Sequence, residues 1–393
     1  MYQSCYIELS RKAFQNNLDY LRDRFGPDTL FSSVIKGNAY GHGINHILPM
    51  AESFGVRHFS VFSADEALAA FNARTKESEI MIMGMIDNSE LEWAIENEIS
   101  FYVFEQDRLK TAIDIAIKHK KRARIHLELE TGMFRTGFGR DELEEVIAFL
   151  KENSEHVIVE GICTHYAGAE SVSNYLRVKN QMKEYAWKLR RIRQSKLEFR
   201  FCHTACSAAA LRYPRTIMNM VRIGIAQYGF WPTRETYMHD LSEQMGDGFN
   251  GDSDAKIHDP LKRVISWKSK VMSTKSVPPN RFIGYGTAFL TNQQTKIATV
   301  PIGYSHGFTR DLSNLGRVLI NGQRASVIGV VNMNMMIVDV TSIEGVEKGS
   351  PVTIIGDDGD TELTVGSFSE LTNRLNYETL TRLPRDIPRF IKE

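Results

Sequence analysis

Lys36 closes the apolar run Val34-Ile35 and opens the stretch Gly37-Asn38-Ala39-Tyr40-Gly41-His42-Gly43. A lysine at the end of a buried strand is held where loss of hydration lowers its pKa, which turns an ammonium into an amine able to form a Schiff base. The glycines behind it let backbone and a tyrosine hydroxyl come close to a phosphate. A snorkelling lysine followed by a turn is the other reading of the same residues. Gly284-Tyr285-Gly286 carries a phenol that is either a proton-transfer group or a half-buried aromatic in a turn. Arg222, at the end of another apolar run, is either a fixed cation in a site or half of a surface ion pair. Cys163-Thr164-His165 and Cys202-His203-Thr204-Ala205-Cys206 gather thiols and imidazoles without Cys-x-x-Cys spacing, so no metal is expected.

Elements must place these groups. Between Ser10 and Gly229 short apolar runs alternate with segments of helical period, the pattern of successive strand–helix units on a parallel sheet. Strands are predicted at Leu30 to Ile35, His58 to Phe62, Ile80 to Met83, Ser100 to Phe104, Ala123 to Leu129, Val157 to Cys163, Glu198 to Cys202 and Asn219 to Ile223, with helices such as Asp141 to Glu152 and Asn174 to Ile192 between them. Eight such units predict an α/β fold, a closed (β/α)8 TIM barrel whose active site lies at the C-terminal ends of the strands, where Lys36 falls. A doubly wound open sheet is the alternative. From about Asp240 to Pro260 the chain turns to Gly, Asp, Ser and Asn without apolar period, as in a linker or exposed insertion. Beyond it Val264 to Val277, Lys296 to Pro301, Arg317 to Ile320, Ala325 to Val330, Met335 to Val340 and Pro351 to Ile355 alternate or are β-branched, and one helix is predicted near Val365 to Asn376. The expected layout is a barrel over 8–239, a polar linker or insertion over 240–260, and a C-terminal β-strand-rich domain over 261–393 that residues 1–7 join.

Composition narrows the function classes. Lys plus Arg and Asp plus Glu both number 48 in 393 residues, so the net charge is zero and a nucleic-acid partner is not expected. No apolar run reaches the roughly 18 residues of a membrane span, and Met1-Tyr2-Gln3-Ser4-Cys5 lacks a secretory leader pattern, so a soluble cytoplasmic protein is expected. Four cysteines are too few for a disulfide scaffold.

The segment Val34 to Gly43 resembles the pyridoxal-phosphate lysine motif of the alanine racemases. The likeness continues, in order, through Glu130-Thr131-Gly132-Met133-Phe134-Arg135-Thr136-Gly137, Thr164-His165-Tyr166-Ala167, Cys206-Ser207-Ala208-Ala209, Val221 to Gly229, Gly284-Tyr285-Gly286-Thr287, Pro301-Ile302-Gly303-Tyr304 and Met333-Asn334-Met335. Pyridoxal 5'-phosphate is the cofactor that the resemblance implies, with Lys36 as its Schiff-base lysine and one base at the substrate α-carbon. It implies Tyr285, supplied by the partner subunit of a head-to-tail homodimer, as the second base. A tyrosine with an ordinary pKa near 10 needs cationic neighbours for that work, and His165 and Arg222 resemble the family pair beside it. The family sets Arg222 against the pyridine nitrogen, and an arginine does not release its proton. Tyr40 and Ser207, with the backbone amides of Gly224 and Ile225, would hold the phosphate. Arg135 and the amide of Met333, the latter also supplied by the partner subunit, would hold the substrate carboxylate, with Glu128 and Tyr304 in supporting roles. The implied activity is interconversion of L- and D-alanine, with serine, lysine or a broader amino-acid set as the alternative substrates.

Four places depart from the family pattern. Glu128 stands where many members carry a carbamylated lysine, and is expected to pair directly with Arg135. His306 and Asn334 replace carboxylates at the expected entrance, which bears on the substrate side chain. Leu380-Thr381-Arg382-Leu383-Pro384-Arg385 lacks the family's phosphate-contacting tyrosine and leaves Arg382 or Arg385 as stand-ins. Among rival functions, a fold-related decarboxylase would carry Cys-Asp-Ser after Asp240, which does not occur. A non-catalytic pyridoxal-phosphate-binding protein of one domain would lack Tyr285 and everything beyond the linker. An aldolase or dehydratase would need a metal.

Overall fold

A computed structural model describes residues 4–245, 259–372 and 375–393. The chain divides into two compact units. One comprises Ala13–Ala39 and Ile47–Lys262, and the other the segment up to Lys12, Tyr40–His46 and Arg263 onward.

The first unit is a nearly closed parallel barrel. Its strands, in sheet order around the ring, are Leu30–Val34, His58–Ser63, Glu79–Met85, Ser100–Val103, Ala123–Glu128, Val157–Cys163 and Phe201–His203, with Met220–Ile223 returning to pair with the first through Leu30↔Met220 to Ser33↔Ile223. All eight predicted strands are present within a few residues. Apolar, β-branched runs suit this position because a parallel strand in a barrel is covered on both faces, and Ser100–Val103 and Met220–Ile223 are buried at every residue. The remaining seam, between Phe201–His203 and Met220–Ile223, is closed partly by a side chain. Asn219 Oδ1 accepts from Cys202 N at 2.7 Å while its Nδ2 donates to the Arg200 carbonyl at 2.8 Å, and Arg222 N donates to the Ala205 carbonyl at 3.0 Å.

Outside the ring, the helix Leu143–Glu152 buries Leu143, Val146, Ile147 and Leu150, an apolar stripe at i, i+3, i+4 and i+7. The helix Tyr175–Gln194 buries an unusual mixture, in which Gln181, Tyr185 and Lys188 lie among Val178, Leu189 and Ile192. The barrel interior is itself partly polar: Ser32 and Ser60 share a 2.5 Å hydrogen bond, and His58 Nδ1 lies 2.8 Å from Ser32 Oγ. Gly161 matters here for space, since a Cβ at that position would lie 2.4 Å from His126 Nδ1 and 2.9 Å from His203 Nε2.

The second unit is a mixed, mainly antiparallel sheet in the order Ser273–Val277, Thr295–Val300, Met336–Asp339, Gln323–Val327, Arg317–Ile320, Pro351–Asp358, Ile265–Lys270, Cys5–Ser10 and Arg389–Lys392, with Thr361–Leu363 on the flank of Pro351–Asp358. Trp267, Val300, Phe308, Val338 and Ile354 are fully buried within it. The single strand predicted over Val264 to Val277 is two, interrupted at Val271-Met272, and the helix predicted near Val365 to Asn376 is two, Val365–Thr372 and Asn376–Thr381. Thr361–Leu363 and Arg389–Lys392 had no alternating signal in so few residues. The polar stretch read as a linker or insertion over 240–260 falls mostly outside the described residues. Its first part finishes the helix Arg234–Met245, where Asp240 is buried and accepts from Tyr20 Oη at 2.9 and 3.0 Å.

Candidate functional site

Lys36 leaves the first barrel strand at an anchored carbonyl. Val34 O accepts from Gln227 Nε2 and from Tyr228 Oη, both at 3.0 Å, and Ser33 Oγ donates to Gln227 Oε1 at 2.7 Å. The chain then makes a turn of left-handed helix: φ is +63° at Gly37, +54° at Asn38, +55° at Ala39 and +50° at Tyr40. Each non-glycine residue in that region costs about 1–2 kcal/mol. Glu66 offsets part of the cost, because its Oε1 accepts from Gly37 N at 2.6 Å and Asn38 N at 3.2 Å while Oε2 accepts from Phe62 N at 3.0 Å. Sequence reading missed this buried glutamate, whose helix Ala64–Ala73 gives it no motif of its own.

Lys36 is reachable by solvent. Protein atoms crowded around its ammonium nevertheless strip hydration and, with the positive charges of Arg135 and Arg222, push its pKa below the ordinary lysine value. The same groups act on His165, whose pKa falls to about 3 through burial and the charges of Arg222, Arg135 and Lys36. Glu128 is raised by burial, against the opposing effects of its Thr136 hydrogen bond, Arg135 and Arg222. Lys36, Glu128, Arg135, His165 and Arg222 therefore form one electrostatic group.

Arg222 is buried, and four hydrogen bonds fix its guanidinium. Nη1 donates to His203 Nδ1 at 2.5 Å and to the His203 carbonyl at 2.7 Å, while Nη2 donates to the carbonyls of Thr164 at 2.9 Å and Thr204 at 3.2 Å. Its Nε–H is left without an acceptor among the described residues. Two residues on, Gly224 N donates to Ser207 Oγ at 3.0 Å, which brings a buried hydroxyl to the start of the short helical turn Ile225–Tyr228.

The expected direct pair between Glu128 and Arg135 is not formed. Glu128 Oε2 instead accepts from Thr136 Oγ1 at 2.8 Å, and Arg135, exposed on the loop, acts on the carboxylate through its charge alone. The loop is shaped by Glu130, which accepts from Gly132 N and, at 2.8 Å each, from Met133 N and Phe134 N.

In the strand-rich unit, Tyr40 packs edge-on against Tyr377, with ring centroids 6.1 Å apart and planes at 82°. A tyrosine thus stands beside Tyr40, outside the 380–385 segment in which Arg382 or Arg385 is expected as a stand-in. Arg382 is engaged with Glu378 at 2.7 Å. Arg389 holds the neighbouring backbone, giving Nε at 3.0 Å and Nη2 at 2.8 Å to the Gly41 carbonyl. Tyr285, Tyr304 and Met333 are exposed on this unit, Tyr285 at 72%. The N–H of Met333 has no acceptor among the described residues, and its carbonyl takes Ser305 N at 3.0 Å. His306 and Asn334 are spoken for, His306 Nε2 lying 3.3 Å from Ser4 Oγ and Asn334 Nδ2 donating to Ser305 Oγ at 3.0 Å.

All four cysteines are free. Among the described residues the side chains close enough to share one metal ion are Glu92, Glu96 and His119, at the surface and apart from Lys36. No helix among those residues is long and apolar enough to cross a membrane.

Comparison with known proteins agrees with this arrangement at every scale. Residues 9–232 match the family model described as alanine racemase, N-terminal domain, and residues 264–391 match alanine racemase, C-terminal domain. The chain is 33% identical over 389 residues to an alanine racemase of Leptospira interrogans, covering 99% of this chain and 96% of that protein, and 32% identical over 386 residues to one of Methanococcus maripaludis, covering 98% of each. Among solved structures, alanine racemase from a D-cycloserine-producing Streptomyces lavendulae superposes with a TM-score of 0.89 at 26% identity, covering 100% of this chain and 98% of that one. The Bacillus anthracis alanine racemase with bound L-Ala-P gives 0.86 at 28% identity, covering 100% and 96%. With the barrel, the strand-rich sheet and the ordered motifs all accounted for, the chain belongs to the alanine racemase family of isomerases.

Proposed function

We propose that the protein interconverts L- and D-alanine with pyridoxal 5'-phosphate, using Lys36 and Tyr285 of the partner subunit as bases on opposite faces of the α-carbon. The observation that carries this reading is Arg222. Four of its donor contacts are fixed by His203, Thr164 and Thr204, and a single N–H is left for a ring acceptor. The residues present fit the cofactor: a lysine with a lowered pKa, that free donor, and the Ser207 hydroxyl with the amides of Gly224 and Ile225 for a phosphate. When bound, pyridoxal phosphate supplies the electron sink for the bond to the α-hydrogen.

The chain's own groups do the rest. Lys36, with its depressed pKa, has a larger neutral fraction near pH 7 and so takes or returns a proton on one face. Arg222 keeps its proton, so it would offer a ring nitrogen only a hydrogen bond, which would moderate the electron sink and favour return of the proton over side reactions. His165 is neutral at physiological pH, so it adds a hydrogen-bonding ring and no charge; the cation available to stabilise a tyrosinate is Arg222. Arg135 and the amide of Met333 of the partner subunit would hold the substrate carboxylate. Tyr40 and Tyr377 would join Ser207 on the phosphate. The exposure of Tyr285, with Phe282, Leu290 and Met333, is the kind of apolar surface that a second copy covers, which supports a homodimer with shared sites.

The test is incubation of the cofactor-loaded protein with a panel of L-amino acids in heavy water, following α-proton exchange by NMR and chirality by chromatography. Exchange of L-alanine with accumulation of D-alanine, lost in Lys36→Ala and Tyr285→Phe, is the expected result. Turnover of serine or lysine with alanine inert would overturn the substrate, and bound cofactor with no exchange of any amino acid would overturn the activity.

A further inference from the structure

The helix Tyr175–Gln194 carries three polar side chains on its inward face, at i, i+4 and i+7; the first and last end on loops of the candidate site and the middle one on a barrel strand. Lys188, with a side chain only 1% exposed, donates from Nζ to the carbonyls of Glu130 at 2.5 Å and Phe138 at 2.8 Å. Those residues are the two ends of the loop that bears Arg135, already joined by Glu130 N donating to the Phe138 carbonyl at 3.1 Å. One turn away, Tyr185 Oη donates to the Ile162 carbonyl at 2.7 Å. Gln181, also buried, has one amide serving two loops: Nε2 donates to Thr131 Oγ1 at 3.2 Å and to the His165 carbonyl at 3.0 Å, and Oε1 accepts from Ala167 N at 2.8 Å. Thr131 in turn shares a 2.8 Å hydrogen bond with Thr164, whose carbonyl holds Arg222.

A buried ammonium with no carboxylate in hydrogen-bond contact is expensive to keep. Glu184 is its nearest carboxylate, at 3.9 Å. The carbonyls it engages are the two ends of that exposed loop, so the ammonium adds a second tie across its neck. We propose that Gln181 and Lys188 are positioning residues for the reaction: Lys188 clamps the neck of the Arg135 loop, and Gln181 sets that loop's register against the segment carrying His165. The inference rests on the reading of Arg135 as the carboxylate-binding group. Neither side chain touches the reacting atoms, and their effect is on where Arg135 stands when an amino acid arrives.

The test compares Gln181→Met, Lys188→Met and Arg135→Ala in the cofactor-loaded protein. The readouts are kcat and KM for L-alanine, inhibition by propionate as a bare carboxylate probe, and amide hydrogen exchange across residues 130–138. The two methionine variants are expected to raise KM and the propionate inhibition constant about tenfold with kcat changed less than threefold, and to speed exchange in 131–137 while the barrel strands keep their protection. Gln181→Glu, which keeps the bond from Ala167 N but has no donor for Thr131 or His165, is expected not to rescue. In an Arg135→Ala background the Gln181→Met change should add nothing. If Arg135→Ala weakens alanine and propionate while Gln181→Met and Lys188→Met leave both unchanged, the brace is overturned and the reading of Arg135 stands. If Arg135→Ala itself changes neither, the underlying reading fails and the brace with it. Should Lys188→Met not accumulate as folded protein, the Gln181 variants decide the question alone.

Discussion

Arg222 and His203 are joined twice, through Nη1 to the ring Nδ1 at 2.5 Å and to the carbonyl at 2.7 Å. Because a guanidinium only donates, His203 Nδ1 must be the acceptor and Nε2 must carry the hydrogen. That hydrogen points to His126 Nδ1, 2.9 Å away, so His126 is also fixed in one tautomer. Burial and the nearby Arg222 charge hold both imidazoles far below their ordinary pKa. Nitrogen-15 NMR of labelled protein is expected to find His203 protonated at Nε2 alone, unchanged from pH 5 to pH 9; a titrating signal would refute the assignment.

His58 provides a pH dependence of stability. Its pKa is lowered to about 4, chiefly by complete burial. Between the unfolded value of 6.5 and that folded value the unfolded chain binds a proton that the native ring does not, so stability falls as the pH drops through this window. The slope is about 1.4 kcal/mol per pH unit for one such group. Urea denaturation at pH 6.5 and pH 5 should show His58→Gln losing roughly 2 kcal/mol less than the parent protein; parallel losses would exclude His58 as the source.

Glu66 holds the left-handed turn behind Lys36 by the N–H groups of Gly37 and Asn38, and is itself anchored by Phe62 N on the next barrel strand. Glu66→Ala strands those donors, each costing about 1–3 kcal/mol when left buried. The melting temperature is expected to drop by several degrees, and the yield of cofactor fixed to Lys36 by borohydride to fall with it. A variant that melts and labels like the parent would show that the turn holds itself.

Gly41 adopts φ +81°, and a Cβ there would lie 2.0 Å from the Leu380 carbonyl oxygen. That contact is with backbone, so it cannot be relieved by a rotamer change. Gly41→Ala should cost roughly 1–3 kcal/mol from overpacking, with about 1–2 more from the backbone conformation, measured by denaturant titration. An unchanged midpoint would mean that residues 380–382 move aside freely.

Tyr377 is expected to act with Tyr40 on the phosphate. Tyr377→Phe keeps the edge-on ring contact and removes one hydroxyl, and should weaken pyridoxal phosphate, but not pyridoxal, by about tenfold, the order of 1.4 kcal/mol. Equal weakening of both ligands in equilibrium dialysis would assign the residue to packing instead.

The barrel strands were legible because a strand covered on both faces leaves a continuous apolar run. The seam at Asn219 was not, since a side chain there does the work of backbone pairing and asparagine is common in any turn. Lys36, His165 and Arg222 could be found from motifs, and the structure places them in one electrostatic group. Glu66, Gln181 and Lys188 carry no motif. On a helix they read as ordinary solvent-facing polar residues, and only the folded chain reveals that they point inward. The expected Glu128–Arg135 pair failed because spacing along a strand and loop cannot say which way an exposed arginine turns, whereas Thr136 lies closer to the carboxylate.

The strand Cys5–Ser10 lies between Ile265–Lys270 and Arg389–Lys392, pairing Ile7 with Trp267 on one side and with Arg389 on the other. During synthesis this early segment must wait, unpaired on that flank, until the last strand leaves the ribosome. The barrel strands are all made long before. Arg389, which fastens the Gly41 carbonyl next to Tyr40, arrives at the same late moment. A nascent chain that has made the barrel strands but not Arg389 therefore holds Lys36 without the clasp that orders the tyrosine four residues on.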